Sequence, residues 1–514
     1  MSNHMKDWEF MNAQGSMTQS ARTMQTYNKP KWKEINWKQA ELYVNRLQVR
    51  IVKAVQENKW RLVKRLQKLV TNSFYAKALA IRRVTTNKGK KTPGIDGVIW
   101  TTDEDKIQAL CNLETCSYKA KPLKRAYIEK YGKKEKRPLG IPTMSDRAMQ
   151  GLQLLALAPI AETTADRVSF GFRQNRCAQD AMEYMFKLLS RRTSPEWILE
   201  GDIKGCFDNI SHEWMMRNIP ADKRIMKQFL KSGYVNNKRW FPTTEGSPQG
   251  GLISPPYANL TLDGLETILL KRYSTSSTGH YNPNYNKHKV HLCRYADDFI
   301  VTSNCREILI EIQQILMEFM KERGLKLSEE KTVITHIEEG FDFLGWNFRK
   351  FKGKLLIRPS IKSKKKITDK LSKTVKYYHE AKQELLIVKL NQIIKGWAEY
   401  HHCVCAKSTF TLIDHRLWEM LWKWAKRRHP RKHNRWVKNR YWHPRNGRQW
   451  SFRTDKVILY QMTDMPIVRM KSLDLNKNPY LDRDYFAKRK EEHRMKRNTA
   501  YQKSTAARSG YYAL

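Results

Sequence analysis

From about Trp37 onward, apolar residues recur at three- and four-residue steps among lysines and arginines: Val44, Leu47 and Ile51, then Val63, Leu66 and Val70. That spacing places them on one face of successive amphipathic helices. The turn-forming run Thr92-Pro-Gly-Ile-Asp-Gly97 closes the stretch. Between about 100 and 360 the pattern changes to short β-prone runs mixed with helices. Trp197-Ile-Leu-Glu-Gly-Asp-Ile203 is an apolar run ending in Asp202, as a strand that carries a carboxylate to its tip would read. In His291-Leu-Cys-Arg-Tyr-Ala-Asp-Asp-Phe-Ile-Val-Thr302, two β-prone runs flank Ala296-Asp297-Asp298. This reads as a hairpin with adjacent carboxylates at its turn. After Ser360, long basic helices are predicted over Ile361–His379, Gln383–Tyr400 and Phe410–Lys426. Beyond Trp450 the chain reads as irregular and polar, ending in a frayed helix or tail over Lys488–Ala507. No solenoid-type repeat is present. The expected division is a polar tail (1–30), a helical extension (31–100), a mixed α+β region (101–360), a helical region (361–425) and a basic C-terminal region (426–514).

The 514 residues include 97 Lys and Arg against 50 Asp and Glu, a net charge of +47. An excess of that size repels itself and calls for a polyanion, with nucleic acid ahead of a membrane surface. Sixteen Trp and 23 Tyr add planar side chains on which unstacked bases could lie. The eight cysteines form no disulfide framework: six are scattered, and Cys403 and Cys405 are too close for a zinc knuckle. A reducing compartment fits, with the bacterial cytoplasm expected and nucleoid association or an organelle compatible with it. Met1–Phe10 lacks the apolar core of a signal peptide, and no run approaches the ~18 apolar residues of a membrane span.

Asp202, Asp297 and Asp298 carry the chemistry of this pattern. An isolated Asp-Asp in a turn is ordinarily solvated punctuation. Crowded like charges, however, are costly unless a cation lies between them. Two Mg2+ ions held by Asp202 and Asp297, with Asp298 nearby, would account for the arrangement. Ions roughly 3.5–4 Å apart can activate a primer 3′-hydroxyl and stabilise a pyrophosphate leaving group.

The neighbours decide between the two. Tyr295-Ala-Asp-Asp298 resembles the reverse transcriptase signature, and Glu200-Gly-Asp-Ile-Lys-Gly-Cys-Phe-Asp-Asn-Ile-Ser-His212 the block with the first catalytic aspartate. Gly246-Ser-Pro-Gln-Gly-Gly-Leu-Ile-Ser-Pro255 resembles the block that positions template and nucleotide. Lys136-Arg-Pro-Leu-Gly-Ile-Pro142 and Phe170-Gly-Phe-Arg-Gln-Asn-Arg176 resemble the fingers block and its successor. Gly324-Leu-Lys-Leu-Ser-Glu-Glu-Lys-Thr332 and Phe341-Asp-Phe-Leu-Gly-Trp346 resemble the last two palm blocks. All seven stand in the family's order, and the chain resembles the group II intron-encoded reverse transcriptases, in lower detail over about 37–450. The resemblance implies a right-hand polymerase: a helical N-terminal extension, fingers and a palm on a ferredoxin-like sheet, a helical thumb or maturase domain, and a basic arm.

It also implies roles. Asp202, Asp297 and Asp298 would bind two Mg2+ ions, with the backbone carbonyl of Ile203. Lys130 and Arg137 would grip the triphosphate, Gln249 would line the nucleotide pocket, and Phe207 would exclude a ribose 2′-hydroxyl. Cys206 replaces a bulkier residue, and Glu129 replaces the usual Pro. Gly396-Trp-Ala-Glu-Tyr400 matches a maturase-domain motif. From Lys426 to Arg448 come ten Lys and Arg and no acid, interleaved with His429, His433, Trp436, Tyr441 and Trp442. Such a run favours an extended or mobile chain unless phosphate is present, and Arg427, Arg428, Arg431 and Lys432 are candidate nucleic-acid contacts. Met465-Pro-Ile-Val-Arg469 and Asn478-Pro-Tyr480 resemble the connector that in many relatives leads to a His-Asn-His endonuclease. No Cys follows Trp450, so DNA cleavage by such a domain is not expected. The expected partners are group II intron RNA, target DNA as primer, and dNTPs, with no membrane; oligomeric state is not legible. The rivals are a domesticated host reverse transcriptase in repair or phage defence, and a splicing cofactor without polymerase activity. The maturase-like region speaks against the first and the intact aspartates against the second.

Overall fold

The computed structural model describes residues 31–510 except 130, 133–134, 276–281, 283–284 and 446–447. The expected polar tail over 1–30 and Lys130 therefore lie outside the described residues.

Three helices open the chain: α1 (Trp37–Gln56), α2 (Trp60–Asn72) and α3 (Phe74–Thr86). Val44, Leu47, Ile51, Val63, Leu66 and Val70 are all buried, so the three- and four-residue spacing marks the face turned to the core. The hairpin β1 (Leu123–Glu129) and β2 (Lys136–Ile141) follows. Next come α4 (Met144–Thr164), buried along most of its length, and α5 (Ala178–Leu189). Helices α1 to α3 pack on α4.

The central sheet is built from β3 (Trp197–Gly201), β6 (His291–Tyr295), β7 (Asp298–Ser303) and β8 (Val333–His336). Between β3 and β6 lie the short helix α6 (Cys206–Asn209), the hairpin β4 (Tyr234–Asn236) and β5 (Arg239–Phe241), then α7 (Ser254–Leu262) and α8 (Leu265–Tyr273). Helix α9 (Arg306–Glu322) connects β7 to β8. Spatial order is β6-β7-β3-β8, antiparallel throughout. This is the βαββαβ order of a ferredoxin-like sheet, as the resemblance implied. Leu199, Leu292 and Val301 turn to one core with Leu309, Ile312 and Leu316 of α9. Ile198, Cys293 and Ile300 turn to another with Met182 and Met185 of α5. Both faces are covered, which explains strands that read as continuous apolar runs. Gly201 pairs with Phe299, and a Cβ there would stand 2.1 Å from that ring.

Beyond the sheet, β9 (Phe341–Phe343), β10 (Trp346–Phe351) and β11 (Lys354–Pro359) form a meander. Helices α10 (Ile361–Tyr377), α11 (Gln383–His401) and α12 (Lys407–Arg428) extend the second core through Leu386, Leu390, Ile394, Phe410 and Leu417.

One expectation is corrected here and another narrowed. The basic stretch after Lys426 is folded, with α13 (Asn434–Tyr441) and the hairpin β12 (Trp442–Arg445) and β13 (Arg448–Phe452). Two of the aromatic residues offered as base platforms explain this: Tyr441 is buried against Trp424, and Trp442 against Trp422 and Phe452. Apolar burial outweighs like charges that reach solvent and repel only weakly there. At the polar end, the helix alternative holds, and it starts earlier than expected, as α14 (Arg483–Gly510). It is held by Phe486 in the second core and by ion pairs of Arg489 with Asp180 and Arg497 with Glu399. Its partners lie hundreds of residues upstream or in α11, out of reach of a local reading. No helix among the described residues is long and apolar enough to cross a membrane.

Candidate active site

Asp202 is the first residue past β3. Its carbonyl accepts a hydrogen bond from the Ser328 amide at 2.8 Å, Ile203 bridges to Leu327, and the Lys204 amide donates to the Lys326 carbonyl at 2.9 Å. The block around Gly324–Thr332 thereby fixes the backbone of the first aspartate. Asp297 and Asp298 come from the β6–β7 turn, where Tyr295 pairs with Asp298 across a two-residue loop and Ala296 takes φ 59°. Beneath this turn Arg294 is fully buried. Its guanidinium pairs with Asp263 and donates to Asn259 Oδ1 at 3.2 Å and the Ala296 carbonyl at 3.4 Å. The turn is thus held from below by a buried charge.

The three carboxylates feel one another. Asp298 is pushed up to about 6, first by the surrounding protein, then by the negative charges of Asp297 and Asp202, with Lys331 opposing. Asp297 is raised by burial and by Asp202, while Arg137 and Lys331 pull it back. The Lys331 ammonium forms an ion pair with Asp202. Among the described residues no group of three or more His, Cys, Asp or Glu side chains is gathered closely enough to hold a metal ion as it stands. The donor set nevertheless fits a divalent cation. It consists of hard carboxylate oxygens whose mutual repulsion a cation relieves, with an ammonium already resting on one of them.

A cleft of about 1440 Å3 opens in front of this group, lined by Arg137, Asp202, Ile203, Phe207, Gln249 and Asp297. Asp298 stands beside it at the start of β7. Arg137 reaches in from β2, exposed and near enough for Asp297 to feel its charge. The Gln249 carboxamide donates to both Asp208 oxygens, at 3.1 and 3.0 Å, and its backbone carbonyl accepts from the Gly140 amide at 2.7 Å. The Gly246–Pro255 block is therefore tied to the β1–β2 hairpin, and Gly250, at φ 111°, passes where a Cβ would lie 2.8 Å from the Gly140 carbonyl. Phe207, partly buried on α6, lies edge-on to Phe172 with centroids 6.2 Å apart. Lys130 lies outside the described residues. Lys331, Arg294 and Phe172 lie within the sequence blocks named above, but the resemblance assigns them no role. A lysine directly after the acids Glu329 and Glu330, and an Arg inside a β-prone run, were the available signals.

On the basic arm, Arg427, Arg431 and Lys432 are exposed at and just beyond the end of α12. Arg428 differs: its guanidinium donates to the carbonyls of His379 at 2.9 Å and Ala381 at 3.2 Å, and covers Trp424.

Comparison with known proteins agrees with this geometry. The family model for reverse transcriptase (RNA-dependent DNA polymerase) matches residues 128–348. The model for the N-terminal domain of reverse transcriptase matches 32–113, and that for the group II intron maturase-specific domain matches 364–442. Group II intron-encoded protein LtrA of Lactococcus lactis subsp. cremoris is 32% identical over 362 residues, 58% of this chain and 59% of LtrA. The alignment thus spans about three fifths of that relative's length. Protein YkfC of Escherichia coli is 31% identical over 315 residues, 55% of this chain and 82% of YkfC. Maturase-like protein 1 of Euglena gracilis is 24% identical over 373 residues, 71% of this chain and 76% of that protein. With the motif blocks folded into one palm and these matches running from the helical extension to the thumb, the chain belongs to the group II intron-encoded reverse transcriptases.

Proposed function

We propose that the protein is an RNA-directed DNA polymerase that copies group II intron RNA from a DNA primer, and that it also binds that RNA as a splicing maturase. The observation that carries the reading is the convergence of Asp202, Asp297 and Asp298 from separate chain segments at one cleft edge, where Asp298 is pushed up to about 6 by its surroundings and its two neighbours. Asp202, Asp297 and Asp298, with the carbonyl of Ile203, would hold two divalent ions, Mg2+ being the expected one. Such ions supply positive charge that favours attack by the primer 3′-oxygen and departure of pyrophosphate. Arg137, with its planar fork, is suited to phosphate oxygens entering the cleft, and Lys130 is the expected second grip. Lys331, in contact with Asp202, keeps that carboxylate aimed. Gln249, locked to Asp208 and to the fingers strand, forms the floor on which a nucleotide would rest. Phe207 stands where a ribose 2′-hydroxyl would collide.

The maturase reading rests on α10 to α13 and the exposed cations Arg427, Arg431 and Lys432, which would contact intron RNA or target DNA. The reading is tested by primer extension on an RNA template with dNTPs and Mg2+. Wild type should make cDNA and Asp297→Ala should not. Equal synthesis by both, or none by wild type, would overturn it.

A further inference from the structure

Phe172 takes φ 58°, a left-handed backbone that a bulky L-residue adopts only under constraint. The constraint is visible on both sides. Gly171 passes so close under the catalytic turn that a Cβ would stand 2.3 Å from the Ala296 amide nitrogen. Its carbonyl accepts from the Asn259 carboxamide at 2.8 Å, and the Phe170 amide donates to the Arg294 carbonyl at 2.8 Å. On the other side, Arg173 donates to the carbonyls of Asp166 at 2.6 Å and Ser169 at 3.1 Å. It also pairs with Glu162 at 2.5 Å, both side chains nearly buried.

This clamped loop leaves its aromatic ring 54% exposed. The ring meets Phe207 edge to face, centroids 6.2 Å apart and planes at 77°. It borders the 1440 Å3 cleft and also a second cavity of about 860 Å3 behind it, so it forms part of the partition between them. A strained residue that buries so little of its own surface gains little from packing, and strain of this kind gathers where a site needs a side chain held in one place.

Resting on the polymerase reading, we propose that Phe172 is a specificity-determining residue. It backs the Phe207 ring and so fixes the depth of the pocket that receives the sugar of the incoming nucleotide. The Gly171–Ala296 contact couples that wall to the turn bearing Asp297, so the catalytic turn and the sugar pocket share one rigid support. Exclusion of a 2′-hydroxyl then rests on the Phe172–Phe207 pair, because Phe207 without its backing can tilt away.

The test measures deoxynucleotide against ribonucleotide use, as a ratio of kcat/KM, in wild type, Phe172→Ala, Phe172→Tyr, Phe207→Ala and the double Ala variant. Phe172→Ala should raise relative ribonucleotide use about tenfold, the scale of a small steric change in an apolar pocket, chiefly through the ribonucleotide KM. Phe172→Tyr, which keeps the ring, should retain the wild-type ratio. In the Phe207→Ala background, Phe172→Ala should add nothing. An unchanged ratio in Phe172→Ala, or full additivity in the double variant, would overturn the proposal; a merely structural role lowers both activities in proportion. Should Phe172→Ala misfold, Phe172→Gly suits the left-handed backbone and gives the same readout. If wild type extends no primer, the polymerase reading fails separately. Equilibrium dialysis of dATP against ATP then asks the same question of the pocket, and an unchanged binding ratio in Phe172→Ala again overturns the proposal.

Discussion

At the palm turn, acidic side chains from separate loops converge on one cleft. Between Lys426 and Arg448, by contrast, the sequence carries ten Lys and Arg, and Tyr441 and Trp442 of this stretch pack into a core of aromatic rings. In the palm, paired strands and the buried Arg294–Asp263 ion pair do the holding. Strands β3 and β7 pair from Trp197 to Gly201, and buried Arg294 grips the turn carbonyl, so the carboxylates are pressed together at a cost that a cation can offset. In the arm, Trp442, Tyr441 and Val437 make the fold, and Arg427, Arg431 and Lys432 face solvent, where like charges repel little. The difference teaches how to read like charges: convergence needs a rigid scaffold around it, whereas dispersal needs only an apolar core beneath.

The largest effect expected from breaking this contrast lies in the palm. Asp297→Ala or Asp298→Ala should lower RNA-templated DNA synthesis by ~10^3-fold or more, as removal of groups that act together on a reaction commonly does. RNA binding should be nearly unchanged. Substantial polymerisation by either variant would sink the assignment of cations to the turn.

The arm's core comes next. Trp442 is 1% exposed, so Trp442→Ala should cost about 3–5 kcal/mol in chemical denaturation. Trp450, at 43% exposed, should cost under about 1 kcal/mol. If Trp442→Ala keeps full stability yet loses nucleic-acid binding, the ring is a base platform and the contrast is misdrawn.

Phe207→Ala or Phe207→Val should raise ribonucleotide incorporation about 10- to 100-fold, in the range of steric discrimination by an apolar pocket. Competition assays with mixed dNTPs and rNTPs would report it, and an unchanged ratio would move the gate to another side chain.

Within the arm the four cations should separate. Arg427→Gln, Arg431→Gln and Lys432→Gln should each flatten the log–log salt dependence of RNA binding by roughly 0.7–0.9 per lost phosphate contact. Arg428→Gln should instead cost about 1 kcal/mol of stability, because its guanidinium caps the carbonyls of His379 and Ala381. A common slope change for all four would put Arg428 back among the phosphate contacts.

The smallest effect concerns pH. With its folded pKa raised from 3.8 to about 6, Asp298 binds its proton more tightly in the folded chain. Its contribution to stability is therefore present below pH 3.8 and lost as pH rises through about 6. Metal-free melts of wild type should fall across that window more than those of Asp298→Asn, and added Mg2+ above it should raise the Tm of wild type. Parallel profiles would mean that the carboxyl is not crowded.

Much of the palm was legible because its signals are local. Short apolar runs end in Asp202 and surround Asp297-Asp298, and strand pairing converts that order directly into a sheet with carboxylates at its edge. The amphipathic helices before Thr86 and after Ser360 were legible for the same reason. Arg294, Lys331 and Phe172 were not, because their meaning comes from partners that only the fold brings near: Asp263 and Asn259, Asp202, and Phe207. Tyr441 and Trp442 misled because an aromatic residue beside cations looks alike whether it stacks on a base or on Trp424 and Phe452. For α14 the sequence left a frayed helix and a tail both open, because its anchors, Asp180 and Glu399, lie far from it in sequence.

One measurement tests the central claim, that chemistry resides in the palm and RNA grip in the arm. Primer extension on a generic RNA template and salt-dependent binding to structured intron RNA are read on the same preparations of wild type, Asp297→Ala and the triple variant Arg427→Gln/Arg431→Gln/Lys432→Gln. The account predicts that Asp297→Ala loses extension and keeps binding with an unchanged salt slope. The triple variant should show a flatter slope and weaker intron-RNA binding, while its extension falls far less. A collapse of extension in the triple variant that matches its loss of binding, or loss of binding in Asp297→Ala, would contradict it.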